Sequence, residues 1–428
     1  MSRKNSSSLR LADRLLTLGL GAAAGILIAR NFFFSERKIT EMIRPDFAVG
    51  DPEFKRTMNQ LFGPPLLDGN SVTPLRNGCE IFPAMLRAIA EAQHSITFEN
   101  FVWAEGKVTM QFAKALAERA RAGVRVHVLQ DALGCGDIFG PTMQILRDSP
   151  AELEIFRLYG LTQMNQRTHR KLLVIDGRVG FTGGVAISDA WDGNADEPDL
   201  WREMQYRVEG PVVGQLQQAF HDNWMETRAC VLLGDRYFPE LKPVGNQLCQ
   251  AFKSSATEGA DSARLMLLLS LASARRTIRI ANAYFLPDDL IIRTIVEARE
   301  RGVEVEIIVP GEHTDQALVR NVGRHRWEKM IRAGVRFYEF QPCCFHCKYL
   351  IVDECWSSVG SANMDDRSLR LNEEANLNVL DRDFAENHIR IFEDDKQCSR
   401  EITLEEWENR SFKERFAGAA GGLLRSQL

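Results

Sequence analysis

A pattern that occurs twice constrains this chain more than any other feature. His169, Lys171, Asp176 and the pair Gly183–Gly184 are matched, 177 residues later, by His346, Lys348, Asp353 and the pair Gly360–Ser361. Each copy reads His-x-Lys-x4-Asp-x6-Gly-(Gly/Ser). In the first copy Lys171 is followed by Leu-Leu-Val-Ile and then Asp176-Gly177, a turn signal, so a buried strand running into a hairpin is predicted. Side chains alternate along a strand, which puts His169 and Lys171 on one face and Asp176 on the other. The second copy has the same parity. The six motif residues form the candidate catalytic set. Within it, Asp176 and Asp353 read as structural, pinning the turn or a neighbouring element, and the histidines and lysines read as the chemical pair.

Two histidines and two lysines held this way suit a phosphodiester: one histidine attacks phosphorus while the other protonates the leaving oxygen. A nucleophilic histidine needs one ring nitrogen free and the other donating to an acceptor, often a carboxylate. Parity makes the motif aspartates poor partners. Glu203 in Trp-Arg-Glu-Met-Gln and Glu374 in Leu-Asn-Glu-Glu-Ala-Asn are better placed, with Asp199 and Glu373 as alternatives. Lys171 and Lys348 would offset charge building on phosphate oxygens, and Asn363 would add a neutral donor. Ser361, Gly183 and Gly184 complete the supporting set.

The two halves agree beyond the motif. Ser95–Trp103 is similar to Thr277–Phe285, and both read as strands. A helix is predicted after each, over Phe112–Ala122 and Ile291–Arg301, then a further strand over Val124–Gln130 and Val303–Val309. Strand-helix-strand in duplicate predicts an α/β fold of two similar lobes, each a mixed sheet flanked by helices, with the active site at their interface. The expected organisation is a membrane anchor or targeting segment over 1–38, a first lobe over 39–232, a Pro- and Gly-containing linker over 233–262, and a second lobe with a C-terminal tail over 263–428.

The duplicated motif resembles the phospholipase D superfamily, and several further stretches resemble its cardiolipin synthase branch. These are Asn77–Phe82, Trp201–Pro211, Ala283–Asp289, Tyr338–Pro342 and Gly360–Glu374. The resemblance covers roughly residues 70 to 400. It implies phosphatidyl transfer: one phosphatidylglycerol forms a phosphatidyl-histidine and releases glycerol, and a second accepts the phosphatidyl group to give cardiolipin. On this chain it implies His169 as nucleophile and His346 as general acid, then base, with the reverse assignment open. The lysines do the charge work, so no metal and no cofactor is expected. Ala186 stands where the family often has Asn, whereas the second half keeps Asn363. A phospholipase D that hydrolyses lipids to phosphatidic acid would use the same histidines. A nuclease is a weaker alternative.

Composition bears on these alternatives. The net charge of −5 disfavours a nuclease, and no nucleic-acid partner is expected. Nine cysteines without a regular framework suggest reduced thiols facing the cytosol. Cys343, Cys344 and Cys347 around His346 read as small buried thiols. The uncharged run Leu15–Ala29 follows a basic start and falls short of the ~20 residues of a membrane span unless Phe34 is included. A retained anchor or interfacial helix is expected, and with the lipid substrate it points to a bacterial inner membrane. A helix over Asp315–Ala333 would carry Arg320, Arg324, Arg326, Lys329 and Arg332, either as a solvated face or as contacts to anionic lipid. The tail Phe412–Leu428 mixes apolar and basic residues, a pattern open to lying on the membrane, although its Gly-Ala-Ala-Gly-Gly run weakens a helix.

Overall fold

The computed structural model describes residues 39–157, 165–255, 261–411 and 414, with isolated positions between 17 and 26. Apart from those positions, the expected N-terminal anchor and the C-terminal tail lie outside the described residues. Among the described residues, no helix is long and apolar enough to cross a membrane.

The first half supplies β1 (Leu67–Arg76), β2 (Ser95–Asn100), β3 (Arg125–Asp131), β4 (Glu152–Phe156), β5 (Leu172–Ile175), β6 (Val179–Gly183), β7 (Trp201–Arg202) and β8 (Met204–Glu209). The second supplies β9 (Gln247–Ser254), β10 (Thr277–Asn282), β11 (Glu304–Pro310), β12 (Arg336–Phe340), β13 (Cys344–Phe345), β14 (Lys348–Val352), β15 (Trp356–Gly360), β16 (Glu374–Leu380) and β17 (Ser399–Ile402). Fifteen of these form one mixed sheet in the order β17-β12-β11-β10-β14-β15-β16-β9-β1-β8-β6-β5-β2-β3-β4. The halves repeat one plan. β2, β3 and β4 are parallel, as are β10, β11 and β12, and the motif strands β5 and β14 run antiparallel to β2 and β10.

Alternation along the strands sends side chains to two layers. Leu172, Val174, Tyr349, Ile351, Leu377 and Val379 enter one apolar core that runs across both halves. Helices 213–228 and 382–397 cover it, contributing Phe220, Trp224, Phe384 and Phe392. On the opposite face each half has its own core, under helices 77–91 and 107–121 in the first and helices 262–272 and 289–300 in the second. The shared layer fixes the halves against each other, which matters because the site takes residues from both.

Two expectations need correction. The stretch read as a linker contains β9, a central strand hydrogen-bonded to β1 on one side and β16 on the other. Its sequence, Gln-Leu-Cys-Gln-Ala-Phe-Lys-Ser, has no β-branched residue, so propensity hides a strand that its neighbours impose. The helix expected over Asp315–Ala333 is two helices, Ala317–Arg326 and Glu328–Arg332, and Asp315 precedes both. Its arginines are tied to acidic groups of the chain: Arg320 and Arg324 to Glu339, Arg326 to Asp289, Arg332 to Glu328 and Glu408. They serve the fold.

Candidate active site

The two motif copies meet in one cleft of about 330 Å³, lined by His169, Lys171, His346 and Asn363 among others. Two short crossings between the halves build it. β7 pairs with β13 in parallel, and the His346 N–H donates to the Arg202 carbonyl at 2.9 Å. Symmetrically, the His169 N–H donates to the Glu373 carbonyl at 2.8 Å. In each crossing the next residue is a glutamate, and its carboxylate is brought beside the histidine of the other half. His169 Nδ1 lies 2.9 Å from Glu374 Oε2, and His346 Nδ1 lies 2.5 Å from Glu203 Oε2. These contacts span 205 and 143 residues of sequence, so each half-site is incomplete without the other half.

All six groups are buried, and burial is the largest influence on each. It pushes both histidines down, His346 to about 4 with Lys348 adding to the effect. It also pushes Lys171 down to about 7, and Lys348 down. Burial alone would push the carboxyls up. Lys348 and His346 outweigh it at Glu203, as His169 and Lys171 do at Glu374, so both stay below the usual carboxylate range. The cleft therefore holds neutral imidazoles whose Nδ1–H donates to an ionised glutamate, leaving Nε2 as the free nitrogen. Lys171 Nζ donates to the His169 carbonyl at 2.8 Å. Lys348 Nζ donates to the His346 carbonyl and lies 2.8 Å from His346 Nδ1.

The supporting residues have distinct tasks. Ser361 Oγ donates to Glu374 Oε2 at 2.6 Å. Its counterpart Gly184 lies under Glu203, where a Cβ would come within 2.4 Å of Glu203 Oε1. Gly183, at φ 156°, passes so close to Gln205 that a Cβ would come within 2.3 Å of its Oε1. Asn363 lines the cleft, and its Oδ1 is buried with no hydrogen-bond partner among the described residues. Of the alternatives, Glu373 pairs with Arg170 at 3.0 Å and Asp199 is exposed. Cys347 faces the shared core, away from the cleft.

Asp176 and Asp353 leave the candidate catalytic set. Each occupies a left-handed turn position, at φ 54° and 50°. Asp176 accepts the backbone N–H groups of Gln93, His94 and Ser95, and Asp353 those of Arg275, Arg276 and Thr277. Each aspartate pins the start of β2 or β10 to the far end of its motif hairpin. The parity that puts histidine and lysine in the cleft puts the aspartate there.

The sequence reading missed other groups at the site. Thr168 faces the opposite way from His169, and its hydroxyl donates to Glu99, a carboxyl that burial pushes up to about 7. Arg167, Arg367, Trp191, Trp201, Tyr284 and Asp315 also line the cleft. Arg167 shares the strand parity of His169 and Lys171, which was a usable signal. Trp201 opens the two-residue strand β7, and the others stand on loops and short helices that no periodicity places.

A family model described as "Cardiolipin synthase, PLD-like domain" matches residues 85–224 and 267–396. Cardiolipin synthase A of Pseudomonas putida (strain GB-1) is 33% identical over 356 residues, covering 82% of this chain and 74% of that protein. Cardiolipin synthase A of Pseudomonas fluorescens is 31% identical over 355 residues, with 82% and 74% coverage. Among solved structures, a phosphatidylserine synthase of Haemophilus influenzae is similar with a TM-score of 0.67 at 14% identity, over 88% of this chain and all of that one, a likeness of fold. With both motif copies and both crossed histidine–glutamate pairs in place, the chain belongs to the cardiolipin synthase family of phospholipase D-like proteins.

Proposed function

We propose that this chain transfers a phosphatidyl group from one phosphatidylglycerol to another, forming cardiolipin and glycerol. The observation that carries the reading is the pair of crossed His–Glu contacts, which brings two free imidazole nitrogens and Lys171 to one cleft, with Lys348 held against His346. His169 Nε2 attacks phosphorus as the phosphorus–oxygen bond to the glycerol headgroup breaks, and His346 gives its Nε2 proton to the departing oxygen. The second lipid's hydroxyl then returns a proton to His346 and attacks phosphorus. The phosphorus–nitrogen bond breaks, and His169 is restored. Lys171, Lys348 and Asn363 stabilise the charge that gathers on the non-bridging oxygens. His346 is neutral before substrate binds, so it must first take up a proton from solvent at Nε2; an arriving phosphodiester anion favours that imidazolium, which is the form that donates.

The names of the relatives support the substrate, and lipid substrates place the enzyme at a membrane surface, in our reading the bacterial inner membrane. The test is mass spectrometry of lipids after incubation with phosphatidylglycerol in mixed micelles. Cardiolipin with an equal amount of glycerol is expected. Phosphatidic acid alone would make the protein a hydrolase, since water then replaces the lipid acceptor.

A further inference from the structure

Duplication makes one end of the cleft a copy of the other, so positions where the copies differ indicate what the cleft binds besides phosphorus. Around His346 stand three aromatic rings, with centroids at 4.9 Å (Trp201), 5.7 Å (Trp191) and 6.0 Å (Tyr284). The position matching Trp191, 177 residues on, is Ser368, and the position matching Tyr284 in the repeated strand is Val102. Tyr284 O–H donates to Asp315 Oδ2 at 2.5 Å, and both residues line the cleft. Asp315 can do this because it precedes the helix at Ala317–Arg326. The other end of the cleft has Arg167 and Arg367 instead. That end also has Phe101, 5.3 Å from His169, and Asp365 lines the cleft as well. The His346 end is thus the richer in aromatic rings, and the His169 end carries the guanidinium groups.

An anion is disfavoured beside Asp315, and an ammonium is disfavoured by Lys171 in the same cleft and by Lys348 held against His346. Trp191 and Trp201 lie 4.1 Å apart, closed on each other as a wall, with no gap between them for a cation. A neutral polyol fits both features. Its hydroxyls donate to the remaining carboxylate lone pairs, and its carbon edges lie on the rings. We propose that Asp315 and Tyr284, walled by Trp191 and Trp201, form a polyol subsite that holds the glycerol headgroup beside His346. The inference rests on the transfer chemistry above, in which His346 protonates the departing headgroup. The same subsite then receives the glycerol of the acceptor lipid.

The test supplies vesicles containing equal amounts of phosphatidylglycerol and phosphatidyl-1-propanol with the same acyl chains, and measures released glycerol against released propanol. The wild type is expected to favour glycerol. Asp315→Asn should lower the ratio about tenfold, and Tyr284→Phe about threefold, as expected for lost hydrogen bonds to substrate hydroxyls. A ratio unchanged in both variants would overturn the subsite. So would equal release by the wild type, or preferential release of ethanolamine when phosphatidylethanolamine is added as a third donor. Folded variants that release neither headgroup would place Asp315 in the chemical step and also overturn it. Headgroup release precedes the fate of the phosphatidyl group. Phosphatidic acid in place of cardiolipin would therefore defeat the transfer reading and leave this ratio to judge the subsite.

Discussion

His169 meets Glu374 at 2.9 Å while its lysine is bonded to the main chain; His346 meets Glu203 at 2.5 Å with Lys348 drawn against the same ring nitrogen. Beneath the first histidine lies a polar layer of Thr168, Glu99, Asn223, Arg170 and Glu373. Beneath the second, Cys347 occupies the place of Arg170, and the ion pair moves to Arg202 and Asp395. A twofold plan thus supplies a frame for one phosphorus atom, and its local breaches assign unequal tasks. His346 has positive charge crowded on it and three aromatic rings around it, as suits a group that titrates next to a neutral headgroup. His169 stands at the end with the guanidinium groups, on a firm hydrogen-bonded base, as suits a group that carries the phosphoryl load.

The largest effects should come from removing either histidine. His169→Ala and His346→Ala should each lower turnover by about 10³-fold or more with the fold retained, because each half-reaction needs both groups. Activity within tenfold of wild type in either variant would break the two-histidine account. Next is a reciprocal exchange at a supporting position where the copies differ. Gly184→Ser pushes a Cβ into the Glu203 carboxylate and should cost about 10²-fold in kcat. Ser361→Gly only removes one hydrogen bond to Glu374 and should cost about tenfold. Equal losses would mean that the half-sites are more alike than their contacts indicate.

Asp176→Asn and Asp353→Asn should lower stability by roughly 1–3 kcal/mol each, read from denaturant midpoints, while activity per folded molecule changes little. A stable but inactive variant would return these aspartates to the chemistry. The smallest effect is on the pH dependence of stability. Burial holds His127, His346 and His388 at about 4, whereas unfolded histidines titrate near ~6.5. Between those values the unfolded chain binds more protons. The stabilisation is complete above about 6.5 and is lost as pH falls toward 4. The thermal midpoint should drop across that window, and His346→Gln should flatten the drop in part. His388, outside both half-sites, keeps its own share.

Spacing and strand parity were enough to set each histidine and lysine on one face and each aspartate at the turn, because those relations are local. Glu203 and Glu374 were also legible as candidates. Their crossed assignment was not, because it depends on two interstrand crossings between segments more than 140 residues apart. β9 escaped for a related reason: its partners β1 and β16 create it, and its own composition does not. Asp315 was placed in a helix because its neighbours have helical character. Tyr284 draws it out, and that contact lies 31 residues away in sequence.

The most direct test of unequal half-sites is to quench the enzyme during turnover of phosphatidylglycerol and map the phosphorylated histidine by peptide mass spectrometry. The account predicts the adduct on His169, with greater accumulation when His346 is replaced and the donor carries a leaving group that needs no proton. An adduct on His346, or equal labelling of the two, would contradict it.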